Sequence, residues 1–263
     1  MSKQFQLVFD KAKSEDRPAF MPFLVAGDPD YNTSLALFKS IAPKADMLEI
    51  GFPYSDPLAD GPTIQAADER ALKSKINTDK VFSLIKETRK FYKNPISVLV
   101  YANLVYQYDI DKFYKQASLC GIDGVLIPDV PLEESQMFVS AAKKYNVSPV
   151  FMVTQTTNNE RLKKILEVAE GYLYLVSVLG VTGTGNSLGK ETYDFIKRIK
   201  KNSKLPLALG FGISTREHVA NAAEAGIDGV IVGSAIIKIL EANLQSPSQA
   251  KNKMETFVNE LIA

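Results

Sequence analysis

Among the residues able to do chemistry, Glu49 is the one most out of keeping with its surroundings. The segments Gly121-Ile122-Asp123-Gly124-Val125-Leu126-Ile127 and Gly226-Ile227-Asp228-Gly229-Val230-Ile231-Val232 are nearly one heptapeptide, each entering a strand after a helix. Ala45-Asp46-Met47-Leu48-Glu49-Ile50 follows the same plan. Aligning Asp46, Asp123 and Asp228 puts Glu49 where the other copies hold Leu126 and Ile231. A carboxylate replaces an aliphatic side chain on a buried strand, which costs on the order of several kcal/mol unless it is paired or protonated. Two readings follow: an ion pair with a neighbouring strand, or an acid whose pKa burial raises toward the range useful for proton transfer.

The segment after Gly51, Phe52-Pro53-Tyr54-Ser55-Asp56-Pro57-Leu58-Ala59-Asp60-Gly61-Pro62, is stiff and acidic. Asp60 is either a helix-entry residue, favoured near a helix N-terminus, or a second carboxylate beside Glu49, giving two acids in unlike environments. Asp129, in Ile127-Pro128-Asp129-Val130-Pro131, is a third acid near a strand end, an orienting group or a spare. Glycines cluster at Gly180-Val181-Thr182-Gly183-Thr184-Gly185, Gly210-Phe211-Gly212-Ile213-Ser214 and Gly233-Ser234-Ala235, each after an expected strand. Glycine admits close backbone approach, and N–H groups at a helix start bind anions, so the clusters suggest a phosphate site, with Ser234–Lys238 as a short helix. The alternative is that they only terminate strands. The long segment from about Val178 to Lys190 has the composition of a mobile lid.

Positioning these residues is the task of a repeated pattern, a short Val/Ile/Leu-rich run followed by a turn and a longer amphipathic segment, which means βαβ units and a parallel sheet. The expected strands are Ala19–Ala26, Asp46–Gly51, Ile96–Tyr101, Val125–Pro128, Pro149–Val153, Leu173–Ser177, Leu207–Gly210 and Gly229–Gly233. Helical patterns include Asn32–Ala42, Thr63–Ser74, Thr78–Tyr92, Leu132–Tyr145, Asn158–Ala169, Glu191–Lys201, Thr215–Ala225 and Gln249–Ile262. An opening helix near Lys3–Lys13 is expected to cap the bottom. The fold class is therefore α/β: a (β/α)8 TIM barrel, one domain over residues 1–263, with an extra N-terminal helix and a short helix after strand eight. Its site belongs at the C-terminal ends of the strands, where phosphate is often held by the loops after strands seven and eight.

Composition narrows the chemistry. Lys+Arg of 31 against Asp+Glu of 30 leaves a net charge of +1, so no overall field attracts a polyanion or an acidic membrane. One Cys, Cys120, excludes an intrachain disulfide framework and suits a reducing cytosol. One His, His218, excludes a His-rich metal centre, and its place in Thr215-Arg216-Glu217-His218 suggests a surface or helix-packing role. Asp and Glu remain as the proton-transfer groups. None of the expected strands ends in Lys, which argues against Schiff-base chemistry. Neither a signal peptide nor a membrane span is evident, and a cytoplasmic location is expected.

Leu48-Glu49-Ile50-Gly51 running into Pro53-Tyr54-Ser55-Asp56-Pro57-Leu58-Ala59-Asp60-Gly61-Pro62 closely resembles the signature of the tryptophan synthase alpha subunit family. The likeness extends through Pro22-Phe23, Gly27-Asp28-Pro29, Tyr101-Ala102-Asn103, Asp129-Val130-Pro131 and the three glycine clusters. The resemblance implies retro-aldol cleavage of indole-3-glycerol phosphate to indole and glyceraldehyde 3-phosphate, with Glu49 as acid–base catalyst and Asp60 stabilising positive charge at the indole nitrogen. Phe23, Leu99, Leu126 and Tyr174 match positions lining the indole pocket, and Gly183, Gly212, Gly233 and Ser234 match the phosphate site. Tyr101, Thr182, Phe211 and Ile213 lie in the same motifs and join the substrate-binding set. The family works as an α2β2 complex: no cofactor is implied for this chain, and pyridoxal phosphate belongs to the beta partner. Alternatives are a stand-alone lyase with the same acids, another phosphate-sugar barrel enzyme, and a catalytically silent ligand-sensing subunit.

Overall fold

Runs of Val, Ile, Leu and Phe too short for helices become strands buried on both faces. In the computed structural model, which describes residues 3–176, 190–210 and 212–262, eight such strands pair in parallel and close in chain order. They are β1 Ala19–Val25, β2 Leu48–Gly51, β3 Ile96–Leu99, β4 Gly124–Leu126, β5 Ser148–Thr154, β6 Leu173–Val176, β7 Leu207–Gly210 and β8 Gly229–Val232. Around them lie α1 Lys3–Ser14, α2 Tyr31–Ile41, α3 Pro62–Lys73, α4 Thr78–Phe91, α5 Ala102–Tyr108, α6 Ile110–Cys120, α7 Gln136–Lys144, α8 Asn159–Val168, α9 Lys190–Asn202, α10 Arg216–Glu224, α11 Ser234–Glu241 and α12 Pro247–Ile262. This is the (β/α)8 barrel expected, with its extra first helix and the short α11 after β8. No helix among the described residues is long and apolar enough to cross a membrane.

Three local departures have physical causes. β4 stops at Leu126 rather than Pro128, and proline supplies no N–H for a ladder. The stretch expected as one helix over Leu132–Tyr145 splits into a 3-10 turn, Leu132–Glu134, and α7. The segment between the third and fourth strands, left without a helix by the sequence patterns, holds α5 and α6, joined at Asp109 with φ 74° and a carboxylate that caps Lys112 N–H.

The sequence repeat is a structural device at the strand entrances. Asp46 accepts the Phe20 N–H at 2.8 Å and binds Arg17 through both oxygens. Asp123 accepts the Ile96 N–H at 2.8 Å and pairs with Arg89. Asp228 accepts the Leu207 N–H at 2.7 Å and pairs with Lys200. Each acid ties an even-numbered strand to the one before it, so the register that singles out Glu49 is physically real.

The bottom is plugged by α1, as expected. Phe5 and Phe9 pack against Tyr172 with ring centroids 5.7 and 6.1 Å apart. The repeat's glycines make room for them: a Cβ on Gly229 would lie 2.8 Å from the Phe9 ring. Cys120 is buried at the end of α6.

Candidate active site

Glu49 is 0% exposed. Its Oε1 accepts a hydrogen bond from Tyr172 OH at 3.4 Å, and the Tyr172 oxygen in turn accepts from the Ser97 hydroxyl at 3.0 Å. Tyr172 precedes β6, across the barrel from β2 and β3, so these contacts put Glu49 and Ser97 in the interior. Oε2 of Glu49 has no hydrogen-bond partner, and no cation among the described residues pairs with the side chain. The structural ion-pair reading therefore fails. Burial pushes the Glu49 carboxyl up to about 8, Asp60 adds to the rise, and the Tyr172 hydrogen bond offsets part of it. Such a group carries its proton near neutrality yet gives it up readily.

Above lies a cavity of about 540 Å³ at the C-terminal ends of the strands, a volume typical of small-ligand sites. Phe23, Leu99, Met152, Tyr174 and Ile231 supply apolar wall. Glycine is required where rings lean over neighbouring strands: a Cβ on Gly51 would lie 2.7 Å from the Phe23 ring, and one on Gly210 would lie 2.3 Å from Tyr174. Tyr174 senses the charges of both Glu49 and Asp60, and burial raises its pKa well above the ordinary value.

Asp60 reaches the cavity from the segment between β2 and α3. Tyr101 OH donates to Asp60 Oδ2 at 2.7 Å and accepts the Ala59 N–H at 3.0 Å. The Tyr101 ring stacks on Tyr54, with centroids 5.0 Å apart and planes at 23°. Burial raises the Asp60 pKa, and the Tyr101 hydrogen bond pulls it back. Pro62 starts α3 and the N-cap is Gly61, so Asp60 is not the helix cap.

Gly212, Ile213, Gly233 and Ser234 line the far side of the cavity. Gly233 is the N-cap of α11 with no side-chain cap, and the first N–H groups of a helix lack intrahelical partners. That end can hold an anion. Lys238, one helical turn further on, is the cationic lining residue among the described residues.

Not every expected site residue meets the cavity. Glu49, fully buried on β2, and Leu126, buried in the core, are not among its lining residues; Phe23, the register partner of Glu49 on β1, is. Tyr101 does not line it either and acts on Asp60 instead. Asp129 accepts the Ala102 N–H at 2.9 Å at the start of α5, so it serves a helix start. His218 lies on α10, its Nδ1 3.3 Å from the Ser214 N–H. Thr182, Gly183 and Phe211, with the expected lid from Val178, lie outside the described residues. The sequence reading missed Tyr172 as partner of Glu49, and also Met152, Ser214 and Lys238 in the lining.

The model of the family described as tryptophan synthase alpha chain matches residues 9–263. The chain is 46% identical over 260 residues to the tryptophan synthase alpha chain of Methanoregula boonei, covering 98% of this chain and 97% of that one. It is 49% identical over 230 residues to that of Methanothermobacter thermautotrophicus, covering 87% and 85%. Among solved structures, a chain of the tryptophan synthase α2β2 complex of Pyrococcus furiosus superposes with a TM-score of 0.88 at 35% identity, covering 94% of this chain and 98% of that one. A buried acid without a counter-ion under a phosphate-compatible cavity, on this barrel and with these relatives, places the chain in the tryptophan synthase alpha chain family.

Proposed function

We propose that the chain is a carbon–carbon lyase that splits indole-3-glycerol phosphate into indole and glyceraldehyde 3-phosphate. The observation that carries this is the uncompensated carboxyl of Glu49, raised to about 8, with Asp60 close enough to feel its charge. The indole ring is assigned to the apolar wall of Phe23, Leu99 and Tyr174. The phosphate is assigned to Gly212, Gly233 and Ser234, with Lys238 nearby. Thr182, Gly183 and Phe211 join the site on sequence resemblance.

Protonated Glu49 gives its proton to indole C3, and the ring nitrogen becomes cationic. Asp60 stabilises that charge, held in place by Tyr101. The Glu49 carboxylate then takes the proton of the glycerol hydroxyl next to the ring. As that oxygen becomes an aldehyde carbonyl, the carbon–carbon bond breaks and its electron pair restores the aromatic indole. The net change is one proton moved from hydroxyl to C3, with no electrons exchanged, so these residues need no cofactor.

The indole product is proposed to pass to a pyridoxal-phosphate beta subunit in an α2β2 assembly. Leu58, 92% exposed at the tip of the segment carrying Asp60, is an apolar group suited to such a contact. Assay of the purified chain with indole-3-glycerol phosphate tests the reading: equimolar indole and glyceraldehyde 3-phosphate are expected. Absence of both products, with and without the beta subunit, would overturn it.

A further inference from the structure

The connections at the open end of the barrel carry acids and no cations. By sequence, the segments that follow the eight strands, residues 26–30, 52–61, 100–101, 127–135, 155–158, 177–189, 211–215 and 233, contain no Lys, Arg or His. Their acids include Asp28, Asp30, Asp56, Asp60, Asp129 and Glu133. The next cations after two of these segments, Lys190 and Arg216, open the helices that follow. A phosphate monoester carries a charge of about −1.5 to −2 near neutral pH, and Asp60 lines the cavity assigned to it. Against that, the start of α11 offers roughly half a positive charge. A deficit of about one full charge remains, and no connecting segment fills it.

Lys238 is placed to fill it. It lines the cavity together with Gly233, Ser234 and Ala235, and it stands one turn after Ser234 on α11. Long side chains on a helix lean over the turn N-terminal to their own Cα, so the Lys238 stem runs back along the face that carries Ser234 and Ala235. The neighbouring acid on α11, Glu241, meets Arg70 at 3.4 Å, and Arg70 holds Asp28 through both carboxylate oxygens at 2.7 and 2.8 Å. Among the described residues no carboxylate pairs with Lys238, and Arg70, held in that network, does not line the cavity. A backbone cradle accepts tetrahedral anions by shape; a full charge beside it discriminates among them by charge.

We propose that Lys238 is the specificity-determining cation of the substrate site, the full positive charge that makes the cavity select a phosphate dianion over a singly charged ester. This deepens the lyase reading above and rests on it. The probes are glycerol phosphate, mostly doubly charged at pH 7.5, and glycerol sulfate, of nearly the same shape and singly charged. By titration calorimetry on the full chain, the parent is expected to prefer the phosphate about tenfold or more. Lys238→Met should bind glycerol phosphate about tenfold more weakly and keep a preference below about threefold, whereas Lys238→Arg, which retains the charge, should keep the parental preference. For indole-3-glycerol phosphate the loss in Lys238→Met should fall on KM rather than kcat, since it removes binding to a group that does not react. Indole, which is uncharged, reports folding and should bind every variant alike. If Lys238→Met loses indole binding too, Lys238→Gln takes its place with the same expected outcomes. A folded, uncharged variant that keeps the parental affinity or preference overturns the proposal, and so does a parent that binds both esters equally. A parent that selects phosphate through Lys238 yet releases no indole would instead refute the lyase reading and leave the charge selection standing.

Discussion

At the level of single residues, the site depends on what burial does to carboxyl groups. Glu49 in the folded chain holds its proton up to about 8, against 4.5 for an ordinary Glu. The folded state thus binds this proton more tightly than the unfolded state. The pH-dependent cost of keeping Glu49 buried is absent below the unfolded pKa, grows as pH rises between about 4.5 and 8, and is constant above. Replacing it with Gln removes that slope. Relative to its difference from the parent at pH 4, Glu49→Gln should gain roughly 3 to 5 kcal/mol of stability by pH 8. Chemical denaturation at the two pH values checks this, and a difference that does not change with pH would contradict it.

Among the elements, the division is between those that hold the barrel and those that present the site. The three acids of the repeat sit at the strand entrances, each satisfying an N–H of the neighbouring strand. Asp228→Ala would leave the Leu207 N–H without its 2.7 Å acceptor and release Lys200. A loss of about 1–3 kcal/mol is expected, since an orphaned buried donor forfeits its solvation. Urea denaturation measures it, and the affinity for glycerol phosphate at the opposite end should not change. A variant as stable as the parent would show that the acid at the strand entrance contributes nothing.

The same division explains what was legible in the sequence. Strand order, the α1 plug and the standing of Glu49 are written locally, in runs, periodicity and a repeat that carries its own register. Tyr172 is not, because its bond to Glu49 spans 123 residues and crosses the barrel. The place of Leu126 in the core has a related reason. Its strand ends before Pro128, and Pro128 rather than Leu126 reaches the cavity. Helices α5 and α6 escaped because their apolar spacing restarts at Asp109, where the chain turns through a positive φ.

For the whole molecule, a net charge of +1 provides little long-range steering, so a partner must be found by local complementarity. Leu58 is the most exposed large hydrophobic residue among those described, and it lies two positions before Asp60. Leu58→Ser is expected to weaken association with the beta subunit at least tenfold, measured by titration calorimetry, while leaving glycerol phosphate affinity within twofold. Unchanged association would remove this tip from the contact.

The central claim is that binding and chemistry are separate, with the glycines and α11 holding phosphate and the buried carboxyl of Glu49 moving the proton. It is tested most directly by measuring indole release and glycerol phosphate affinity on Glu49→Gln beside the parent. The expected result is indole release reduced at least a thousandfold with the dissociation constant for glycerol phosphate within threefold. Substantial turnover by Glu49→Gln would contradict it.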